Sequence, residues 1–456
     1  MQHSVLHKIL LYKKQWISKK KQYYPLHILQ NTIKKSKRNF YKALSNQTHQ
    51  TILILECKKA SPSNGIICNN FNPIEIAKIY KNYATIISVL TDKKYFHGNF
   101  NILKNISNHV EQPILCKDFF ISEWQIYFAR FYQADAILLI LSILDDATYQ
   151  QLVYIAHKLC MGVLTEISNE NELHRAKYLG AKVIGINNRN LHNLSIDLNR
   201  TIILGKKIPK HITSISESGI ECYAHIKKLK HYVNGFLIGT KLMSQPKLDI
   251  AIKKLIFGEN KICGLTKTQD AKFIDKLGAI YGGLIFVPNS MRYISIKSAE
   301  NIVSGTKRLC YVGVFANENI SHIINIVNIL HLSAIQLHGA EDQNYINILR
   351  NQLPSTCHIW KYIDMNHTVL IKQHKLINVH RYLADNGGGS GKTFNWTLLS
   401  TMKRRKTILA GGLTIDNCAK AAQMGCAGLD FNSGVEILPG IKDHQKLTKI
   451  FRILHV

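Results

Sequence analysis

The chain has 456 residues, a formal net charge of +30 and 46% hydrophobic residues, so it is long enough for two or three domains with ordinary cores. Its ten cysteines form no CxxC pair and no His/Cys spacing suited to zinc, which argues against a disulfide framework and a structural metal. The longest apolar run, Ala136 to Leu141, is too short to cross a bilayer, and lysines interrupt the segment from Met1 to Trp16 where a signal peptide would be apolar. We therefore expect a cytoplasmic protein with no membrane association.

The positive charge is scattered along the chain rather than clustered. Lys, Ile and Asn are abundant throughout, including on helix faces with no other unusual feature. A protein that binds nucleic acid or an anionic membrane surface would need a clustered positive face. We therefore attribute the charge mainly to a general drift in composition and expect no nucleic-acid partner. Anionic, phosphorylated substrates would suit such a positive field.

Residues 1–48 are polar, basic and weakly periodic, and they predict helices that precede the first strand. The apolar run from Ile52 to Leu55 predicts the first strand, and Glu56 and Lys58 lie at its carboxyl end. Side chains two residues apart on a strand face the same side, so both can point into one cavity. A structural ion pair that caps the strand is the alternative interpretation.

The strand-then-helix pattern repeats along the chain. Asn72-Pro73 predicts a helix start, with Asn as the cap and Pro at the first helical position. Gly180, Gly278 and Gly425 follow predicted helices at the position where glycine ends a helix. The predicted strand ends of the first half lie near Glu56, Thr91, Lys117, Leu141, Glu166, Asn187, Glu217 and Gly239.

A second series of predicted strand–helix units begins after Phe257. The predicted strand ends of the second half lie near Cys263, Phe286, Phe315, His338, Lys361, Asp385, Gly411 and Asn432. Eight strands in each half predict an α/β protein of two tandem (β/α)8 barrels, residues 1–256 with a helical extension at 1–48, and residues 257–456. A doubly wound open sheet is the structural alternative.

In a barrel the carboxyl ends of all strands converge on one mouth. At the first mouth the candidate catalytic residues are Glu56, Lys58, Lys117, Glu166, Asn187, Glu217 and Ser218, and the candidate binding residues are Ser61, Arg189, Gly219, Gly239 and Thr240. Converging buried charges stabilise a fold poorly, because their desolvation costs free energy. They do separate pKa values, so that one group donates a proton while another accepts it. Glycine amides beside a helix start suit a phosphate.

Six segments of the first half, ECKKASPS, ILCKDF, LTEIS, GINNRN, SESGI and FLIGT, resemble the indole-3-glycerol-phosphate synthase family in order and spacing. The resemblance implies ring closure, decarboxylation and dehydration of 1-(2-carboxyphenylamino)-1-deoxyribulose 5-phosphate to indole-3-glycerol phosphate. It implies Lys117 as the general acid for ring closure and Glu166, with Lys58 nearby, for the dehydration. The other four candidates would position and polarise the substrate. A Schiff base on Lys58 or Lys117 is the alternative.

Two residues depart from that family's pattern. Thr240 replaces a Ser and keeps the hydroxyl group, so we expect no effect. Asn190 replaces an Asp, and we expect it to loosen the loop that holds Arg189.

At the second mouth a strand cysteine, Cys263, faces Asp385, His338 and Arg292. A buried cysteine is often only a small hydrophobic residue. A thiol near cationic groups has a lowered pKa and can act as a base. The candidate phosphate-binding residues, all in or beside glycine-rich stretches, are Gly389, Ser390, Gly411, Gly412, Ser433 and Gly434.

The segments KICGLT, QLHG, GGSGKTFNW, AGGLTIDN and DFNSGVE resemble the phosphoribosylanthranilate isomerase family. The resemblance implies an Amadori rearrangement of N-(5-phosphoribosyl)anthranilate. It implies Cys263 as the general base, Asp385 as the general acid and Arg292 as the group that holds the anthranilate carboxylate, with His338 shaping the pocket. Asn395 replaces an Asp, and the segment from Asp385 to Gly388 is one residue shorter than in some relatives. Both departures put the exact conformation of that loop in question.

The product of the second half is the substrate of the first, so the two resemblances support each other and together resemble the bifunctional family of tryptophan biosynthesis. Neither implied mechanism requires a cofactor or a metal. We expect a monomer whose partners are small phosphorylated anthranilate derivatives. A chain with one inactive barrel is the rival interpretation, since Asn190 and Asn395 depart from the family patterns.

Overall fold

The structure is a computed structural model that describes residues 5–45, 51–191, 193–306, 308–366, 376–387 and 391–455. The chain divides into two compact units, Met1–Glu221 with Lys228–Ile252, and Cys222–Lys227 with Lys253–Val456. Each unit holds one closed barrel of parallel strands.

The barrel of the first unit contains eight strands, each paired with its neighbours in chain order and the first paired with the last. The strands are β1 (Ile52–Cys57), β2 (Ile86–Leu90), β3 (Ile114–Lys117), β4 (Ala136–Ile140), β5 (Gly162–Ile167), β6 (Val183–Asn187), β7 (Thr213–Glu217) and β8 (Gly235–Ile238). They are short and almost wholly buried, as expected for strands covered on both faces. The register places Asn187 opposite Glu217, so these two polar side chains are neighbours at the ends of β6 and β7. It places Glu166 opposite Gly185.

Three helices precede the first barrel: α1 (Val5–Tyr23), α2 (Leu26–Thr32) and α3 (Phe40–Ser45). Leu6 and Ile9 of α1 and Phe40 and Leu44 of α3 belong to the same apolar core as the barrel interior. Phe40 packs against Gly162, where a Cβ would collide with its ring. Since Gly162 begins β5, α3 closes the amino end of the barrel.

Helices connect the strands of the first barrel, as the alternating pattern predicts. Their bounds are Pro73–Tyr80, Lys93–Phe96, Phe100–Ser107, Glu123–Phe131, Asp146–Lys158, Glu170–Tyr178, Asn199–Gly205, Tyr223–Leu229, Thr240–Met243 and Leu248–Phe257. A short hairpin, Ala60–Ser61 with Gly65–Ile66, follows β1.

The helix Pro73–Tyr80 begins at Asn72, whose side chain accepts hydrogen bonds from the backbone N–H groups of Ile74 (3.2 Å) and Glu75 (3.3 Å). We expect Asn72→Ala to lower the free energy of unfolding by about 1 kcal/mol, because two helix-terminal donors lose their partner. Urea denaturation followed by circular dichroism measures this loss. Asn72→Asp is the control and should retain most of the stability; equal losses in both variants would contradict the capping role.

The barrel of the second unit also contains eight strands in sequential order. The strands are β9 (Lys261–Ile262), β10 (Tyr281–Ile285), β11 (Cys310–Phe315), β12 (Ala334–Leu337), β13 (His358–Asp364), β14 (Arg381–Asp385), β15 (Thr407–Leu409) and β16 (Gly428–Phe431). The α-helices are Thr268–Leu277, Ile296–Ser304, Ile320–Leu330, Gln343–Gln352, Ile415–Gln423 and His444–Leu454. Three 3-10 helices, Trp396–Thr401, Arg404–Lys406 and Ser433–Val435, and a hairpin, Glu436–Leu438 with Ile441–Lys442, complete the described elements.

The two closed barrels confirm the predicted fold class, and the open-sheet alternative is wrong. The helix-ending glycines Gly180, Gly278 and Gly425 all have positive φ angles, 70°, 104° and 75°, as that position requires. One boundary differs, because β13 continues past Lys361 to Asp364. All ten cysteines are free. Within the described part of the chain, no helix is both long and apolar enough to cross a membrane.

Candidate active sites

The first barrel opens at the carboxyl ends of its strands into a cavity of about 500 Å³. All twelve candidate residues of the first half line this one cavity: Glu56, Lys58, Ser61, Lys117, Glu166, Asn187, Arg189, Glu217, Ser218, Gly219, Gly239 and Thr240. Their convergence follows from the fold, since each lies at a strand end or in the loop just after it.

Two lysines and three carboxylates form two sets of ion pairs in this cavity. Lys58 Nζ lies 2.6 Å from Glu56 Oε1, as their shared side of the strand predicts. Lys117 Nζ lies 3.3 Å from Glu217 Oε2 and 3.6 Å from Glu166 Oε2. Lys117, at the end of β3, therefore contacts carboxylates from β5 and β7, which lie two and four strands further around the barrel.

The environment separates the pKa values of these groups. Burial raises the pKa of Glu56, but the ammonium groups of Lys58 and Lys117 outweigh it and hold the pKa below its ordinary value. Burial, reinforced by Glu166 and only partly offset by Lys117, raises the pKa of Glu217 to about 7. Burial opposes the charge on Lys117, yet Glu217, Glu166 and Glu56 together raise its pKa. Lys117 is thus a stable cation, and the neutral amine that a Schiff base would require is disfavoured.

Asn187 orients its neighbours through both ends of its side-chain amide. Its Nδ2 donates to Glu166 Oε1 at 3.0 Å, and its Oδ1 accepts from the backbone N–H of Arg189 at 2.9 Å. The Arg189 guanidinium donates to the carbonyl of Leu194, and the Asn190 N–H donates to the carbonyl of Ser195. Asn190 therefore does not prevent a hydrogen-bonded loop around Arg189.

Close packing and backbone strain mark the same region. A Cβ on Gly185 would collide with the carboxylate of Glu217, and one on Gly239 would collide with that of Glu56. Ser218 and Gly219 both adopt left-handed backbone angles, φ 66° and 81°. A non-glycine residue in this conformation costs of order 1 kcal/mol and is typical of functional sites. The role of Gly185 is not evident from the sequence, because it lies inside an apolar strand.

Sequence reasoning also missed the apolar wall of the cavity. Val5, Leu6 and Ile9 of α1 line it together with Phe96 and Phe119. Charged groups on one side and apolar groups on the other suit a ligand that combines an aromatic ring with anionic groups. The only sequence signal for this wall is the helical spacing of Leu6 and Ile9.

The second barrel opens into a cavity of about 350 Å³. It is lined by Cys263, Arg292, His338, Asp385, Gly411, Gly412, Ser433 and Gly434. Gly389 and Ser390 lie outside the described residues. Asn395 caps the helix Trp396–Thr401, its Oδ1 accepting from the Thr397 N–H at 3.1 Å, so the replacement of Asp by Asn leaves a capping residue there.

Cys263 lies beside a buried ion pair that the sequence analysis did not identify. Lys261 Nζ lies 2.7 Å from Asp430 Oδ2, and Asp430 lines the cavity. The expected lowering of the thiol pKa is wrong: burial raises the pKa of Cys263, and Lys261 and Lys442 offset this only in part, since Asp430 also opposes a thiolate. The period-two spacing of Lys261 and Cys263 is the signal that could have identified this lysine.

Asp385 and His338, which also line this cavity, have opposite pKa shifts. Burial raises the pKa of Asp385 to about 6, with Asp430 adding to the effect. Burial and the nearby Lys261 lower the pKa of His338 to about 4, so this imidazole is neutral. The His338 ring stacks on Tyr362 with centroids 4.1 Å apart, and Gln336 Nε2 donates to its Nδ1.

The guanidinium of Arg292 is bound to a carboxylate of the protein itself. Its Nη2 lies 2.6 Å from Glu436 Oε2, and its Nε lies 3.0 Å from the same oxygen. Lys442 Nζ contacts the other oxygen, Glu436 Oε1, at 2.6 Å. Glu436 ends the quoted segment DFNSGVE, but the sequence alone did not show that it holds Arg292.

Within the described residues, no group of three or more His, Cys, Asp or Glu side chains is arranged to hold a metal ion. The chemistry that both cavities offer is acid–base and electrostatic.

Comparisons with known proteins agree with this division. A family model described as indole-3-glycerol phosphate synthase matches residues 6–255, and one described as N-(5'-phosphoribosyl)anthranilate isomerase matches residues 260–452. The tryptophan biosynthesis protein TrpCF of Yersinia pestis is 54% identical over 454 residues, 99% of this chain and 94% of that protein. The protein of the same name from Salmonella typhi is 53% identical over 452 residues, 99% of both chains. Among solved structures, the phosphoribosyl anthranilate isomerase from Thermus thermophilus is 26% identical, with a TM-score of 0.40 over 43% of this chain and 98% of that one.

Proposed function

The chain belongs to the bifunctional family that joins an indole-3-glycerol phosphate synthase to a phosphoribosylanthranilate isomerase, and from this premise we propose which of its residues carry each reaction. The C-terminal barrel isomerises N-(5-phosphoribosyl)anthranilate to 1-(2-carboxyphenylamino)-1-deoxyribulose 5-phosphate. The N-terminal barrel converts that product to indole-3-glycerol phosphate with loss of carbon dioxide and water. The chain is thus a carboxy-lyase and an intramolecular oxidoreductase, and both steps belong to tryptophan biosynthesis.

For the synthase, Lys117 is the general acid. The supporting observation is its position in the cavity between Glu166 and Glu217, with a raised pKa that keeps it charged. A charged ammonium polarises the substrate carbonyl and stabilises the negative charge that develops as the ring closes.

Glu166 and Lys58 serve the dehydration that follows. Glu166 is held by the amide of Asn187, and Lys58 by the carboxylate of Glu56. Glu217, with a pKa of about 7, can exchange a proton near neutral pH. Ser61, Arg189, Ser218, Gly219, Gly239 and Thr240 form the polar rim that takes the phosphate and the carboxylate.

For the isomerase, Cys263 is the general base and Asp385 the general acid. Both line the same cavity, and burial raises both pKa values. Asp385 can therefore protonate the ring oxygen of the sugar, and the Cys263 thiolate is a strong base once formed. Arg292, oriented by Glu436, takes the anthranilate carboxylate, and the glycines with Ser433 take the phosphate.

We expect a broad pH profile for the isomerase, because its active form needs Asp385 protonated and Cys263 ionised. Below a pH of about 6 Asp385 is already protonated, so each further decrease of one pH unit lowers kcat/KM tenfold as the thiolate is lost. Between pH 6 and the raised pKa of the thiol, the fraction of ionised Cys263 rises with pH as the fraction of protonated Asp385 falls, so kcat/KM stays constant. Above the thiol pKa, kcat/KM falls again.

The variant Asp385→Asn tests this assignment. It should remove the change of slope near pH 6, so that the residual rate rises with pH up to the thiol pKa. Steady-state kinetics across pH 5 to 10 measures both profiles. If the change of slope near pH 6 persists in Asp385→Asn, that titration belongs to another group.

The chain acts as a monomer in the cytoplasm on small phosphorylated anthranilate derivatives, with functional barrels at residues 1–256 and 257–456. A chain with one inactive barrel is the second candidate, favoured only by Asn190 and Asn395. Separate assays of the two steps on one purified preparation distinguish the two candidates.

A further inference from the structure

A lysine of the N-terminal helix is fully buried beside the synthase site. Lys13, in the middle of α1, is 1% exposed. Its ammonium lies 2.7 Å from Asp92 Oδ2 and 2.6 Å from Asp118 Oδ1, and these two carboxylates are themselves 1% and 3% exposed. A lysine is rarely buried unless its charge is paired, so this side chain is placed for its two partners rather than for packing alone.

The two aspartates belong to the loops that follow neighbouring strands. Asp92 comes just after β2 and caps the helix Lys93–Phe96, its Oδ1 accepting from the Tyr95 N–H at 2.8 Å. Asp118 comes just after β3 and is the residue next to Lys117. Its carboxylate also accepts from the Thr91 hydroxyl and the Phe119 N–H, both at 2.7 Å. Three groups therefore hold the Asp118 carboxylate, and among the described residues Lys13 is its only lysine or arginine partner.

We propose that Lys13 is a positioning residue of the synthase, which fixes Asp118 and through it holds the Lys117 ammonium between Glu166 and Glu217. This inference rests on the proposed role of Lys117. Without Lys13, two buried carboxylates would face each other with no cation between them. Their mutual repulsion would push them apart, and a movement of Asp118 moves the adjoining peptide that carries Lys117.

A purely structural role makes a different prediction. Helix α1 also supplies Val5, Leu6 and Ile9 to the cavity wall. If Lys13 only anchored that wall, its loss would weaken substrate binding and raise KM, whether or not Lys117 were present. If it acts through Lys117, its loss lowers kcat, and the effect disappears once Lys117 is gone.

A double-mutant cycle separates these roles. The synthase kcat and KM are measured with 1-(2-carboxyphenylamino)-1-deoxyribulose 5-phosphate for the unaltered chain, Lys13→Met, Lys117→Ala and the double variant. The isomerase rate of each preparation gives the concentration of active chain, and circular dichroism reports the fold. Lys14→Met removes the same charge from an exposed position of the same helix and is the matched control.

We expect Lys13→Met to lower kcat by about 10- to 100-fold, since a displacement of an ångström at a catalytic group has effects of this size. In the Lys117→Ala background the further loss should be less than about twofold, and Lys14→Met should behave as the unaltered chain. Equal losses in both backgrounds, a change in KM alone, or no loss would overturn the proposal. Unchanged turnover in Lys117→Ala itself would instead overturn the role of Lys117.

A second variant covers the case in which Lys13→Met does not fold. Thr91→Val removes only the hydroxyl group that donates to Asp118 and leaves all charges in place. It should lower the synthase kcat about threefold in the unaltered chain and have no effect in the Lys117→Ala background, following the same logic. An equal effect in both backgrounds would contradict the link from Asp118 to Lys117.

Discussion

Replacing Lys117 by alanine should lower the synthase kcat by about 10²- to 10⁴-fold, the usual contribution of one acid–base group. The ammonium is the cation that the cavity places between Glu166 and Glu217, at 3.6 and 3.3 Å. Because its charge matters most as the ring closes, KM should change far less than kcat. Steady-state assays of indole-3-glycerol phosphate formation measure both constants.

Lys182→Ala is the matched control for this variant. Lys182 is exposed and precedes β6, at the amino end of the same barrel, so its loss removes one charge without touching the cavity. Normal turnover by Lys117→Ala, or an equal loss in Lys182→Ala, would remove Lys117 from the mechanism.

Replacing Cys263 by serine should lower the isomerase kcat by about 10²- to 10⁴-fold, because a serine hydroxyl is not ionised at any working pH. The two side chains are nearly the same size, so the site should keep its shape. The effect should be confined to the isomerase, and the synthase step should keep its rate.

Cys418→Ser is the control for the thiol chemistry. Cys418 is also buried, in the helix Ile415–Gln423, and its Sγ–H lies 3.3 Å from the carbonyl of Ile415, a contact that serine can keep. We expect Cys418→Ser to retain its isomerase activity within about twofold, consistent with a site outside the functional cavity. A fully active Cys263→Ser would show that another group takes the proton.

The sequence predicted the barrels well because their signals are local. Most strands of the first barrel are short apolar runs that end at or just before a polar residue, and glycines such as Gly278 stop the helices between strands. The candidate residues were predictable for the same reason. Once strand ends are known, the fold itself brings Glu56, Lys117 and Glu217 to one mouth.

The features that the sequence did not reveal depend on contacts between distant segments. In the sequence, Lys13 is one of many lysines on a basic helix, and only the fold shows that it lies between Asp92 and Asp118. The pKa of Cys263 was predicted in the wrong direction, because nearby cations can be inferred from the sequence but the degree of burial cannot. The pairing of Arg292 with Glu436 was missed because the two residues are far apart in the sequence and meet only in the fold.

Two independent sites on one chain perform the two consecutive reactions. To test this, each step is assayed separately, without added metal, on one set of purified chains: unaltered, Lys117→Ala and Cys263→Ser. We predict that the unaltered chain catalyses both steps, that Lys117→Ala loses only the synthase step, and that Cys263→Ser loses only the isomerase step. An unaltered chain lacking either step, or a variant that loses both steps while folded, would contradict the account.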